Sequence, residues 1–111
     1  MRPAEDAHLR VLQLLHHQPD LSQRQLAEKL GVSLGKANYL LRALLDRGAI
    51  KAKNFRNSQN KLAYAYVLTP TGLREKLRLT RAFLLRKETE FEQLRHTIAS
   101  LKNELSESRS A

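Results

Sequence analysis

Apolar positions in the first half of the chain repeat at helical spacing three times before the pattern changes. Ala7, Val11, Leu14 and Leu15 fall at i, i+4, i+7 and i+8, with Leu12 widening the stripe, which predicts a first helix over residues 4–17. Pro3 suits its first turn, Glu5 and Asp6 sit where the helix dipole favours anions, and Pro19 turns Gln18 out of the α region. In LSQRQL, Ser22 can cap a second helix, Gln25 can return the bond, and Leu21 can staple onto Leu26. That helix runs to Leu30, where Gly31 has the freedom for a left-handed stop before Ser33 caps again. Ala37, Leu40, Leu41, Leu44 and Leu45 form the inner stripe of a third helix closed by Gly48. Its outer face carries Lys36, Asn38, Tyr39, Arg42 and Asp46.

Beyond Gly48 the period shortens to two. Ile50, Ala52 and Asn54 alternate with Lys51, Lys53 and Phe55; after the polar run RNSQNK at 56–61, Leu62, Tyr64, Tyr66 and Leu68 share one face of a second strand. The pair reads as a hairpin with a long basic tip, and the two tyrosines as core and sheet packing rather than base-stacking groups. Thr69 and Pro70 then open a last helix that runs to about Glu107. Thirty-odd helical residues span roughly 50 Å, more than one small domain covers.

Two seams of a heptad run along this helix, Leu77, Leu84, Phe91, Ile98 and Leu105 in one, Leu73, Thr80, Lys87, Leu94 and Leu101 in the other. Leu73 and Leu77 are expected to pack on the chain's own domain. The stretch bearing Leu84, Phe91, Leu94, Ile98, Leu101 and Leu105 reaches too far for that and predicts a coiled-coil homodimer interface, with polar Thr80 and Lys87 fixing register. In a parallel pair Glu90 would face the partner's Arg95 and Glu104 the partner's Arg109; an antiparallel arrangement stays open. Leu79, Phe83 and Leu85 fall outside both seams, so the helix near 79–85 is expected to be covered on more than one side. The expected division is a domain over 1–69, the dimerising helix over 70–107 and a frayed tail over 108–111.

With 111 residues and 41% hydrophobic positions, the chain suits one compact domain and an appendage. Twenty Lys and Arg stand against 11 Asp and Glu, a formal net charge of +9, and this excess calls for an anionic partner. It is concentrated: residues 33–61 hold seven Lys and Arg against one acid. No run is apolar enough for a membrane span, and MRPAEDAHLR lacks a signal-peptide core, so a cytoplasmic protein is expected. The absence of cysteine removes disulfides, thiolate metal sites and thiol catalysis. His16 and His17 lie about 100° apart at a helix end with no third ligand near, and His8 and His96 are read as isolated surface residues. No glycine-rich phosphate loop, metal spacing, or nucleophile and base pair is present, so no enzyme and no cofactor is expected.

Three short helices, the last two joined by a tight glycine turn, followed by a two-stranded wing, predict a mainly α winged helix-turn-helix with a small β-hairpin and a long C-terminal helix. LSQRQLAEKLGVSLGKANYLLRALLDRGAI, the polar wing and YVLTPTG resemble the DNA-binding core of the MarR family of bacterial transcriptional regulators over residues 7 to about 77, most closely its short exopolysaccharide-associated group. The additional N-terminal dimerisation helix of full-size MarR proteins is not seen, which puts the family's usual small-molecule pocket in doubt; the residues identify no effector. The resemblance implies a homodimeric, sequence-specific regulator, more often a repressor, on double-stranded DNA. A PadR-like regulator, or a winged helix used for protein contact through its coiled coil, are the alternatives.

The candidate DNA-binding residues are Ser33, Gly35, Lys36, Asn38, Tyr39 and Arg42 on the third helix and Lys51, Lys53, Arg56, Asn57, Asn60 and Lys61 in the wing. Small Gly35 lets the helix N-terminus approach phosphate. Arg42 suits guanine and Asn38 adenine, whereas Ser33, Lys36 and Tyr39 suit phosphates equally well. A two-fold dimer would then read a pseudo-palindrome with half-sites about 10 bp, or a multiple, apart.

Overall fold

The computed structural model describes residues 3–56 and 62–110. In chain order the elements are α1 (Pro3–His17), α2 (Gln23–Leu30), α3 (Leu34–Asp46), β1 (Ile50–Arg56), β2 (Leu62–Leu68) and α4 (Pro70–Ser110). The α2–α3 joint is built as its sequence dictates. Ser22 Oγ accepts the Gln25 N–H at 3.1 Å while Gln25 Oε1 accepts the Ser22 N–H at 2.9 Å, a closed capping box. Gly31 ends α2 at φ 70°, ψ 34°, a conformation that a side chain would strain. Two residues later Ser33 Oγ accepts the Lys36 N–H at 3.0 Å and starts α3.

The core lies where these helices meet. Val11, Leu12 and Leu15 of α1, Leu26 of α2, and Ala37, Leu40, Leu41 and Leu44 of α3 are all buried, and a buried leucine of this kind contributes about 1.5–3 kcal/mol. The two strands pair antiparallel, from Ile50 opposite Leu68 to Arg56 opposite Leu62. Among the residues of β2 whose burial is described, Ala65 is buried, while Tyr66, on the opposite face and expected in core and sheet packing, is half-buried; the side chain of Tyr64 lies outside the described residues. Helix α1 packs against β2, and a small residue lets the helix come close.

His8 was expected at the surface and is instead 5% exposed. It stands one turn before Val11 and Leu12 and two before Leu15, so it completes their stripe at i, i+3, i+4 and i+7. Arg47 Nη1, from the end of α3, lies 3.4 Å from His8 Nδ1. A guanidinium can only donate, so His8 accepts at Nδ1 and is neutral. Burial first, then the charge of Arg47, holds its pKa below the ordinary 6.5.

The chain divides into two compact units, one ending at Thr80 and one beginning at Arg81. In the first, α4 starts in a tight joint with the α3–β1 turn. The Thr69 N–H donates to the Ala49 carbonyl at 3.0 Å, its hydroxyl donates to the Gly48 carbonyl, and the Gly72 N–H donates to Thr69 Oγ1 at 3.1 Å. Gly72 lies so close to Ala49 that a Cβ there would stand 1.9 Å from the Ala49 carbonyl oxygen. The inward stripe of α4 is therefore Gly72, Glu75, Lys76 and Leu79, with Leu79 3% exposed. Leu73 and Leu77, expected to pack on the domain, are not buried there; they remain 46% and 51% exposed and line a shallow cleft with His16 of α1, because the Gly72 approach turns their face outward. In the second unit Leu84, Phe91, Leu94, Ile98, Leu101 and Leu105 are all exposed. Ion pairs within the helix join Lys87 to Glu90 at 3.0 Å and Glu92 to Arg95 at 3.4 Å. The helix continues to Ser110, through residues 108–110 of the tail expected to fray, and Ala111 lies outside the described residues.

Two outcomes follow from this packing. Gly72→Ala should lower stability by about 1–3 kcal/mol or more, since backbone on both sides must move, and this is read as a lower urea midpoint. For His8, the unfolded chain takes up a proton more readily than the folded one, so its contribution to stability is present above about pH 6.5 and is lost as pH falls from there through the depressed folded pKa. The melting temperature of the wild type should fall more between pH 7.5 and 5.5 than that of His8→Gln; equal falls would show that His8 charges freely in the fold.

Candidate nucleic-acid interface

Because Ala37, Leu40, Leu41 and Leu44 take the inner face of α3, its remaining positions are forced outward. Ser33, Gly35, Lys36, Asn38, Tyr39 and Arg42 are all exposed, Tyr39 to 66%. Lys36 Nζ sits 5.2 Å from the centre of the Tyr39 ring, and Arg42 Nε donates to Asn38 Oδ1 at 3.3 Å. The four predicted readers are thus two pairs, one spaced i, i+3 and one i, i+4.

The start of the helix is open. The N–H groups of Leu34 and Gly35 have no carbonyl of their own helix to bond, and Ser33 satisfies only that of Lys36. Gly35 is a different kind of glycine from Gly72. A Cβ on it would meet nothing closer than Ser33 Oγ at 4.0 Å, and its φ is not positive. Nothing inside the chain requires a glycine there, although glycine weakens a helix relative to alanine. The vacancy faces the outside.

Asn38 and Arg42 line a cleft of about 400 Å³ with Gln23, Leu41, Leu45, Asp46 and Tyr66. Its walls come from α2, α3 and β2, so it joins the third helix to the wing. Gln23 and Tyr66 were not singled out as site residues. Gln23 is the first residue of α2 after the capping Ser22 and is half-buried; its place at the helix start was the signal available for it. Lys51 and Lys53 are exposed on β1, adding two positive charges beside the helix. Arg56 closes β1; Asn57, Asn60 and Lys61 lie outside the described residues. Among the described residues no cluster of three or more His, Cys, Asp or Glu side chains is placed to hold a metal ion. No helix there is long and apolar enough to cross a membrane.

Helix, tight turn, third helix and hairpin define a winged helix-turn-helix protein. A family model described as winged helix-turn-helix DNA-binding matches residues 5–51. The chain is similar to the structure of a PadR-like transcriptional regulator from Bacillus cereus, at 18% identity and a TM-score of 0.72, over 78% of this chain and 89% of that one. It is similar to MepR, a transcription regulator of the Staphylococcus aureus multidrug efflux pump MepA, at 22% identity and TM-score 0.60, over 91% of this chain and 77% of that one. A MepR–DNA complex from the same organism matches at 22% identity and TM-score 0.60, over 88% and 76%. No curated protein matches by sequence. These matches are to transcription regulators and not to enzymes.

Proposed function

We propose that this chain is a cytoplasmic, sequence-specific DNA-binding transcriptional regulator of the MarR or PadR type, acting as a homodimer and most simply as a repressor. One observation carries the reading. The outer face of a capped helix, second in a helix-turn-helix, presents Lys36, Asn38, Tyr39 and Arg42 to solvent around an open N-terminus at Gly35. Such a face enters a major groove, with base edges read by side chains and phosphates held by the helix N-terminus. Lys51, Lys53, Arg56 and Lys61 supply charge for the backbone or a neighbouring minor groove, and Asn57 and Asn60 supply neutral hydrogen-bonding amides. The DNA-bound MepR structure supports the use of this fold on a duplex.

Leu84, Phe91, Leu94, Ile98, Leu101 and Leu105 form a leucine-rich seam at heptad spacing, exposed in the single chain, and a second copy is the natural cover for it. Two copies bring two third helices to the halves of a pseudo-palindromic operator, and occupation of a promoter by that dimer excludes competing proteins. The LTPTG segment and the single long helix favour the MarR side over a PadR-like regulator. The PadR-like alternative has its own support, since the Bacillus cereus structure is matched over more of its length than the MepR structures are.

Selection of bound duplexes from random DNA tests the central claim and should return an inverted repeat; recovery of no sequence preference overturns it. On the selected duplex Gly35→Ala should separate folding from binding. It should raise stability by up to about 1 kcal/mol, because alanine is the better helix former and has room, yet weaken binding to selected and scrambled duplexes alike; unweakened binding would remove Gly35 from the interface. For the dimer, joint replacement of Phe91 and Ile98 by Asp should yield a monomer in sedimentation and weaken operator binding towards that of one half-site. An unchanged dimer would mean that another surface holds the copies together.

A further inference from the structure

Asn38 and Arg42 stand one turn apart on α3, and the contact between them has a direction. The Nε–H of Arg42 donates to Asn38 Oδ1 at 3.3 Å, which leaves the two terminal nitrogens of the guanidinium as the free, forked edge. That fork is the geometry that meets O6 and N7 of a guanine with two parallel bonds. For Asn38 the same contact has the opposite effect. Reading adenine requires its oxygen to accept from N6 while its nitrogen donates to N7, with the amide plane free to align with the base. Here the oxygen faces Arg42, and the plane is set by that neighbour.

We propose that Asn38 is a positioning residue, which holds Arg42 with its forked edge forward for guanine and does not itself read a base. The inference rests on the DNA-binding reading above and replaces the sequence expectation that Asn38 reads adenine. The rest of the cleft explains why a holder is needed. Asp46 lies one turn beyond Arg42 on the other side and lines the same cleft. An arginine between two acceptors at i−4 and i+4 has two ways to turn. Asn38 draws it toward the N-terminal end of α3, the end that reaches base edges in a helix-turn-helix. Without Asn38, the carboxylate of Asp46 is the stronger acceptor left and draws the guanidinium toward the other end. A neutral amide suits the task, because it orients the guanidinium without neutralising the charge that DNA attracts.

The test uses the full chain, the duplex recovered by selection from random DNA, variants of it with each base pair replaced in turn, and a scrambled duplex of equal length. Affinities are read by fluorescence anisotropy at one salt concentration, after circular dichroism has shown each variant folded. Arg42→Ala should lose discrimination at one base pair per half-site by about 5- to 150-fold. Asn38→Ala should lose it at that same base pair and no other, and the double variant should be no worse there than Arg42→Ala alone. Asn38→Asp keeps the acceptor and lacks the amide donor. It should preserve discrimination at that base pair while weakening binding to every duplex, scrambled included, through its added negative charge. Loss at a separate A·T pair, losses that add in the double variant, or unchanged base preference in Asn38→Ala would each overturn the proposal. If the wild type shows no preference among duplexes, the sequence-specific reading itself falls, and this inference with it; a preference that survives Asn38→Ala overturns only the role of Asn38.

Discussion

The carbonyl of Ala49 is the constraint on which the arrangement of the winged domain turns. It accepts the Thr69 N–H, which extends the hairpin ladder by one step beyond Ile50 and Leu68, and it stands so close to Gly72 that only a residue without a Cβ fits. Thr69 adds its hydroxyl to the Gly48 carbonyl and receives the Gly72 N–H. These bonds fix where α4 begins and also how it is rotated. With Gly72 against the α3–β1 turn, helical periodicity carries Glu75, Lys76 and Leu79 inward and leaves Leu73 and Leu77 outside. An apolar seam that looks suited to the chain's own core is thereby left for another surface.

The same economy of faces shapes α3. Four small or branched apolar residues anchor it to α1 and α2, and the anchoring makes the opposite side rigid and available. The two glycines Gly35 and Gly72 illustrate how a residue type acquires opposite meanings from its surroundings. One is required by an internal contact of 1.9 Å to a virtual Cβ; the other has open space and no conformational need. Under the proposed DNA-binding reading, the open space at Gly35 is where a phosphate would approach the helix N-terminus.

His8, buried, and Arg47, exposed, tie the first helix to the end of the third. Arg47 is counted among the positive charges of residues 33–61, yet it donates to a buried imidazole and so serves the fold. Glu75, whose pKa is lowered mainly by its hydrogen bond from Arg78, lies near the same joint and offsets part of the charge there. Among the described residues Lys36, Arg42, Arg47, Lys51 and Lys53 are all exposed, but Arg47 is bonded to the core imidazole, so charge counted along the sequence does not distinguish a cation that serves the fold from one that does not.

Element order, both serine caps, the left-handed stop at Gly31, the hairpin and the long last helix were legible in the sequence, because each rests on contacts within a few residues. The outward positions of Lys36, Asn38, Tyr39 and Arg42 were legible for the same reason, since the stripe of Ala37, Leu40, Leu41 and Leu44 leaves them no other side. What the sequence could not decide was which of two faces of α4 meets the domain, why Ala65 rather than Tyr66 is buried, that His8 joins the core, and that Arg42 is bonded to Asn38. Heptad spacing marks a seam but carries no information on which surface covers it. Those outcomes depend on residues far apart in the chain, Ala49 against Gly72 and His8 against Arg47, and on how side chains orient once they are brought together. Short-range hydrogen bonding and periodicity are written in the order of residues, whereas the rotation of one packed element against another is set only when both are in place.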